Sequence, residues 1–240
     1  MYSSKVKGSF ISKIGLGGAM YETEPYERCI EVTHAAVLKY GITLLDGHAE
    51  YGQSERHLQI LKNLFPFISI STKVRIYRTI EEIYSFYSHS RNLFDPIDFY
   101  FISNVDTEND YLKMCKLLPN FLQGKGKVYT FLGMTSHHPQ FIEQAIKDNL
   151  CFDAFMFPYN IERTDCAQLL PLIKSKNKAT FIMKPFGAGE FFIKHTPKEM
   201  LDFYKDKWAF IDCLLMGVKS AKELEHNMDV LQDHGLCIVP

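Results

Sequence analysis

Short apolar runs alternate with amphipathic stretches from one end of this chain to the other. Residues 13–16, 42–45, 67–72, 98–102, 128–132, 154–157, 180–183 and 213–216 form eight such runs, each too short for a helix of ordinary length. Runs of that length bounded by polar residues predict strands buried on both faces. Helix starts lie between them. Thr23-Glu-Pro25 puts a proline near a first turn, after which Ile30, Ala35, Val37 and Leu38 fall mostly on one face. Thr79-Ile-Glu-Glu82 reads as a capping box ahead of Ile83 and Phe86. Pro139, Pro197 and Ser220 each open a helical stretch, over 141–147, 198–204 and 221–231 respectively. Eight strand–helix units in series predict a parallel sheet, and eight is the number that closes one. The expected fold is α/β, a single (β/α)8 TIM barrel over residues 1–240 with no linker dividing it.

A doubly wound sheet is the structural competitor. Its dinucleotide fingerprint would need Gly-x-Gly-x-x-Gly, and Gly15-Leu-Gly17-Gly18-Ala-Met20 has Met20 at the third glycine. Those glycines are expected instead to let a ligand approach the end of the first strand.

Composition narrows the function classes. With 46% hydrophobic and 14% aromatic residues the chain can build a sizeable core. A formal net charge of -1, with no concentration of Lys and Arg, argues against nucleic acid as a partner. No apolar run reaches the roughly 18–20 residues that span a bilayer, and the polar start is no signal peptide, so a soluble cytoplasmic protein is expected. Six scattered cysteines with no Cys-x-x-Cys pair predict buried, reduced thiols and no metal site.

The chemistry concentrates in Asp46-Gly-His-Ala-Glu-Tyr51-Gly-Gln-Ser-Glu55, where an acid leaves the second strand, a phenol follows five residues on, and the next helix opens. Lys73 ends the third strand. A carboxylate, a phenol and an ammonium at the same ends of neighbouring strands can act as a proton donor. Tyr51 starts from a pKa of about 10. The expectation is that the Lys73 ammonium lowers it while Asp46 keeps the lysine charged and oriented.

With those residues in place, the chain resembles the aldo-keto reductase superfamily over nearly its whole length. The matching segments are Ile14–Gly17, Gly41 to Asp46 with Tyr51-Gly-Gln-Ser-Glu55, Ser71-Thr-Lys73-Val, Asp98 to Ile102, Leu132 to Ser136, Phe157-Pro-Tyr-Asn160, Met183 to Gly189, and Met216 to Asn227. The resemblance implies hydride transfer between a nicotinamide dinucleotide and a carbonyl, with a tetrad of aspartate, tyrosine, lysine and histidine. The first three map onto Asp46, Tyr51 and Lys73. Ser103 stands where the histidine should follow the fourth strand; its hydroxyl can donate to a substrate oxygen but carries no charge. His48, on the Asp46–Tyr51 loop, and His137, after the fifth strand, are the auxiliary candidates. The remaining histidines read as solvated.

By the same resemblance Thr135, Ser136 and Asn160 hold the nicotinamide carboxamide, with Met156 where an amide is common. Gly18, Met183 and nearby Phe186 border the ring. Lys184 and the Gly187-Ala-Gly189 turn meet the pyrophosphate, and Gly217, Lys219 and Ser220 meet the adenosine end with Asn227 packed below. Glu223 falls where relatives carry an arginine for the NADP 2′-phosphate, which tilts the expectation toward NADH over NADPH. Residues 235–240 are too short for a loop that walls off the substrate, so an open mouth is expected. Such a mouth suits a bulky carbonyl compound, or completion by a partner or second subunit, with Tyr21, Phe192 and Trp208 as candidate lining. Two other functions compete: a catalytically weak nucleotide-binding barrel acting as sensor or scaffold, and a redox-neutral epimerase or lyase using bound nicotinamide.

Overall fold

The chain opens with a hairpin whose strands β1 (Ser3–Val6) and β2 (Ser9–Ser12) pair antiparallel. The computed structural model describes residues 3–6, 9–187 and 193–233. Eight parallel strands follow: β3 (Ile14–Gly17), β4 (Leu44–Asp46), β5 (Ser69–Arg75), β6 (Ile97–Ser103), β7 (Tyr129–Thr135), β8 (Ala154–Pro158), β9 (Ala179–Met183) and β10 (Cys213–Gly217). They close in sequence order, with β10 pairing back onto β3 through Gly217 opposite Gly17. The expected (β/α)8 barrel is therefore the fold.

The main helices outside it are α2 (Tyr26–Leu38), α3 (Ser54–Leu64), α4 (Ile80–Leu93), α5 (Glu108–Leu122), α6 (Pro139–Lys147), α7 (Leu169–Ser175), α8 (Pro197–Asp202) and α9 (Ala221–Asp233). A single turn, α1 (Met20–Thr23), follows β3. Two apolar layers result. Inside the barrel, Leu44, Phe99, Phe101, Phe131, Phe181 and Leu215 pack with Val6 and Ile11 of the hairpin. The hairpin closes the N-terminal end, where the Ser12 N–H donates to Thr43 Oγ1 and the Thr43 N–H to Ser12 Oγ. Between strands and helices lies the larger core, with Val32, Leu58, Ile83, Met114, Ile173 and Met228 all buried. The plugged end leaves the C-terminal end of the strands for chemistry.

Several expectations shift. β5, β6 and β7 run on to Arg75, Ser103 and Thr135, past the last residues of their apolar runs. Barrel closure pairs those polar residues' backbones, so the strand outlasts its hydrophobic signal. On α2 the buried face is Cys29, Val32, Thr33, Ala36 and Val37, while Leu38 is 65% exposed. That i, i+3, i+4, i+7 set is one stripe of a helix and excludes Ile30, Ala35 and Leu38. α5 starts with a capping box of Thr107 and Asp110, where an aspartate takes the place of the usual Glu or Gln. Cys29, Cys166 and Cys213 are buried as expected, but Cys151 is exposed, and Cys237 lies outside the described residues. His57 is buried rather than solvated because its Nδ1 shares a 2.6 Å hydrogen bond with the Tyr21 hydroxyl. Trp208 sits at the closed end, beneath Lys13, so it does not line the mouth; Phe192 lies outside the described residues. Among the described residues no helix is long and apolar enough to cross a membrane. No group of three or more His, Cys, Asp or Glu among them could hold a metal ion.

Gly133 on β7 reports how tightly the barrel interior is filled. A Cβ there would come within 2.2 Å of the Phe101 ring, itself packed edge-on against Phe181. Gly133→Ala is expected to cost about 1–3 kcal/mol of stability through overpacking. Urea unfolding should show a lower midpoint at unchanged slope.

Candidate active site

The site is built on the inward face of β5. Side chains alternate along a strand, so Ser71, Lys73 and Arg75 point the same way, toward the barrel and its mouth. Ser71 is register partner to Asp46, the last residue of β4. Its hydroxyl donates to Asp46 Oδ1 at 2.5 Å. Lys73 Nζ donates to Asp46 Oδ1 at 2.7 Å, to Oδ2 at 2.6 Å and to the Gly47 carbonyl at 2.8 Å. An ammonium has three N–H donors, so all three are engaged. Gly18 is required here for packing, because a Cβ would lie 2.2 Å from the Asp46 carbonyl oxygen.

From that pair the chain turns through Gly47 to Tyr51, whose N–H donates to the His48 carbonyl at 2.9 Å. The phenol ring stacks on the His48 imidazole with centroids 4.7 Å apart. Lys73 Nζ lies 6.0 Å and the Arg75 guanidinium carbon 5.7 Å from the ring centre. The structure thus brings Asp46, Tyr51, Lys73 and His48 together. It overturns the expected lowering of the Tyr51 pKa. Burial, followed by the charges of Asp46 and Glu22, pushes the phenol up to about 12, with Arg75 opposing. The Lys73 charge is closed onto Asp46, so it does not act alone on the phenol. Tyr51 is held protonated through the neutral range, the state of a proton donor.

A cavity of about 350 Å³ opens beside these groups. Asp46, Tyr51 and Lys73 line one part of it; Met156, Met183 and Leu215 form an apolar wall, and Lys184, Lys219 and Glu223 stand at other points of its lining. Gly18, Phe186 and Gly217 also border it. A Cβ on Gly217 would meet nothing within 4 Å, so this glycine leaves ligand space.

Other expected site residues face elsewhere. Ser103 is buried and donates to the Val74 carbonyl at 3.0 Å, away from the cavity lining. The Thr135 hydroxyl accepts the Asn104 N–H at 3.1 Å, and Ser136 Oγ donates to the Val105 carbonyl at 2.7 Å. Asn160 Nδ2 donates to the Lys184 carbonyl at 2.9 Å, and its Oδ1 accepts the Arg163 N–H at 2.9 Å. It thereby braces a turn in which Lys184 has a φ of 53°, a left-handed conformation costly for a non-glycine residue. His137 Nδ1 pairs with Asp106 Oδ2 at 2.9 Å, outside the lining. Ser220 Oγ accepts the Glu223 N–H at 3.2 Å, Asn227 is buried on the inner face of α9, and Gly187 takes a φ of 60°; none of the three borders the cavity. Gly189 lies outside the described residues.

Sequence reasoning missed Glu22, Glu50 and Arg75. Glu50 accepts Arg75 Nη1 at 2.5 Å and Arg78 Nη2 at 2.8 Å, and Glu22 lies 3.6 Å from Arg75. The signal available was the spacing Lys73-x-Arg75, which places a second cation on the same face of the strand.

Comparison with known proteins agrees with this architecture. An aldo-keto reductase provisionally assigned in Pseudomonas aeruginosa superposes with a TM-score of 0.78 at 17% identity, covering 96% of this chain and 95% of that one. The holo form of an aldo-keto reductase from Bacillus halodurans gives a TM-score of 0.72 at 15% identity, covering 100% and 97%. A Klebsiella pneumoniae aldo/keto reductase, solved in complex with NADP and acetate, gives 0.68 at 15% identity, covering 94% and 88%. At such identities these likenesses establish the shared fold. No curated protein matches the sequence. The sequence model of the Aldo/keto reductase family matches residues 13–235, and on that ground this chain belongs to the aldo/keto reductase family.

Proposed function

We propose that this protein is an NAD(P)H-dependent oxidoreductase that reduces an aldehyde or ketone, or oxidises the corresponding alcohol, with Tyr51 as acid/base. One observation carries the reading. A fully hydrogen-bonded Asp46–Lys73 pair lies under a protonated phenol, and all three border one cavity.

The cavity's residues fit a dinucleotide in most respects. Gly217 leaves open space at the closing strand, and Met156, Met183, Leu215 and Phe186 offer apolar contact to a planar ring. Lys184 and Lys219 supply the charge that phosphates need. The carboxamide contacts expected of Thr135, Ser136 and Asn160 are replaced by bonds to backbone groups, so the ring would be held by shape and apolar contact. Glu223 Oε2 accepts the Lys219 N–H at 2.9 Å. A carboxylate there repels a 2′-phosphate and can accept from a free ribose hydroxyl, which supports NADH over NADPH.

When bound, the dinucleotide supplies or takes up the hydride. Tyr51 donates its proton to the substrate oxygen in reduction and takes it back in oxidation. The ammonium of Lys73 disperses the negative charge left on the phenolate, and Asp46 keeps that ammonium fixed. Met20, Glu22 and Thr23 of the first helical turn border the same cavity next to Tyr51, where a carbonyl compound would enter.

A second reading is a barrel that binds nucleotide but turns over poorly, acting as sensor or scaffold. The burial of Ser103 against the Val74 carbonyl favours it, since this hydroxyl gives no help to a substrate oxygen.

Two measurements separate these readings. Tyr51→Phe is expected to lower carbonyl-dependent oxidation of the reduced dinucleotide by about 10²–10⁴-fold, with dinucleotide affinity unchanged. Equal rates for wild type and Tyr51→Phe across a carbonyl panel would favour the scaffold. Calorimetric titration is the suitable binding measurement, because Trp208 stands at the opposite end of the barrel. By the same method Lys219→Met should weaken dinucleotide binding roughly tenfold or more, the worth of one charged hydrogen bond. Glu223→Gln should raise the affinity for NADPH relative to NADH.

A further inference from the structure

Glu50 immediately precedes Tyr51, and two of its groups act on the surroundings of that phenol. Its side chain is 9% exposed, although the residue sits on a loop at the barrel mouth. The carboxylate is gripped from one side by Arg75 Nη1 at 2.5 Å and from the other by Arg78, through Nη2 at 2.8 Å and Nε at 3.0 Å. Burial alone would raise the Glu50 pKa; the bonds and charges of Arg78 and Arg75 hold it below the usual range, so the group is a carboxylate. Its backbone N–H donates to His48 Nδ1 at 2.9 Å.

That second bond decides the state of the imidazole. An acceptor Nδ1 leaves the ring proton on Nε2. Burial, reinforced by the positive charges of Lys73, Arg75 and Arg78, pushes the His48 pKa down to about 2, so the ring is neutral. His48 is also pinned from behind, with its carbonyl accepting the Ser54 hydroxyl at 2.9 Å. A neutral ring can stack face-on against the phenol without adding a charge beside Lys73, and the two rings lie 28° apart in plane.

We propose that Glu50 is a positioning residue for Tyr51: its carboxylate sets the guanidinium of Arg75, and its N–H sets a neutral His48 imidazole, against the phenol ring. The proposal rests on the reading of Tyr51 as the proton donor. The clamp gives the phenol two neighbours that the burial of Ser103 does not supply. Every charged group facing Tyr51 enters the balance: Asp46 at the end of β4, Lys73 and Arg75 on β5, Arg78 beyond it, Glu22 on α1, and Glu50 on the loop itself. Glu50 offsets part of the charge of Arg75 and Arg78, which limits the pull of those cations on the phenol and keeps its titration midpoint high.

The test uses the ligand-free protein with ζ-¹³C-labelled tyrosine, the Tyr51 resonance being the one lost in Tyr51→Phe. In Glu50→Gln the guanidinium of Arg75 keeps its charge and loses the nearer of its two carboxylates, so the Tyr51 midpoint should fall by about one pH unit. Adding Arg75→Met to that variant should cancel the fall. In the wild type, ¹⁵N shifts of His48 should report a neutral ring protonated on Nε2 through the range near 6.5 where a free imidazole titrates. In turnover, Glu50→Gln should lower kcat severalfold and leave KM for the dinucleotide unchanged. An unmoved midpoint in Glu50→Gln, a fall that survives Arg75→Met, or a His48 that titrates normally each overturns the proposal. These readouts need no substrate. If Tyr51→Phe leaves turnover intact while the midpoint shifts as expected, the reductase reading fails and the clamp stands. If Tyr51→Phe abolishes turnover while the midpoint stays fixed, the clamp fails alone.

Discussion

Three N–H groups of one buried ammonium hold this site together. Lys73 binds both oxygens of Asp46 and the carbonyl of the next residue, Gly47, so it fixes a side chain and the start of a loop with the same atom. Ser71 completes the carboxylate from the same strand. The pair is costly to break, since removing one partner leaves a buried charge worth about 3–5 kcal/mol of destabilisation. It also needs barrel closure. Only when β5 lies beside β4 in the register that sets Ser71 opposite Asp46 do the acid and the cation share one pocket. The loop from Gly47 to Tyr51 departs from this anchored point, which is why a residue outside any strand can be held in one orientation.

The electrostatic result is a phenol kept whole rather than a phenol made acidic. A lysine next to a tyrosine would lower its pKa if the lysine's charge were free. Here that charge is matched by Asp46, the charge of Arg75 is offset by Glu50 and Glu22, and burial then sets the balance upward. On the proposed reading such a phenol serves by being in place and protonated, and stabilisation comes as negative charge develops on the phenolate near Lys73.

Elsewhere around the mouth, polar side chains hold the scaffold and leave the ligand to shape. Ser103, Ser136 and Asn160 donate to the carbonyls of Val74, Val105 and Lys184, all backbone groups at or just past the C-terminal ends of strands. Those side-chain donors are spent on backbone acceptors of the scaffold before any ligand arrives. The consequence is a cavity whose walls are largely methionine, leucine and glycine, with charge concentrated at Asp46 and Lys73, at Lys184, and at Lys219 with Glu223.

The alternation of short, largely apolar runs with helix starts was enough to read the barrel from the sequence, because strands buried on both faces are mostly apolar, with β5 interrupted by its serines. That Asp46 ends β4, Tyr51 follows on the next loop and Lys73 stands near the end of β5 was legible for the same reason. The hairpin plug, the burial of His57 and the extension of β5 to Arg75 were not, since each depends on a partner distant in sequence: the barrel floor, Tyr21, and the neighbouring strand β6. Residue identity likewise left open where a hydroxyl or amide would point. Ser103 could have met the cavity, and only the folded position of the Val74 carbonyl engages its hydroxyl elsewhere. The sequence by itself therefore determined the order of elements and which chemical groups reach one end of the barrel. The tertiary structure decided which of them are free to meet a ligand and what charge the phenol feels, because hydrogen bonding and burial are set by neighbours that only the closed barrel brings within a few ångströms.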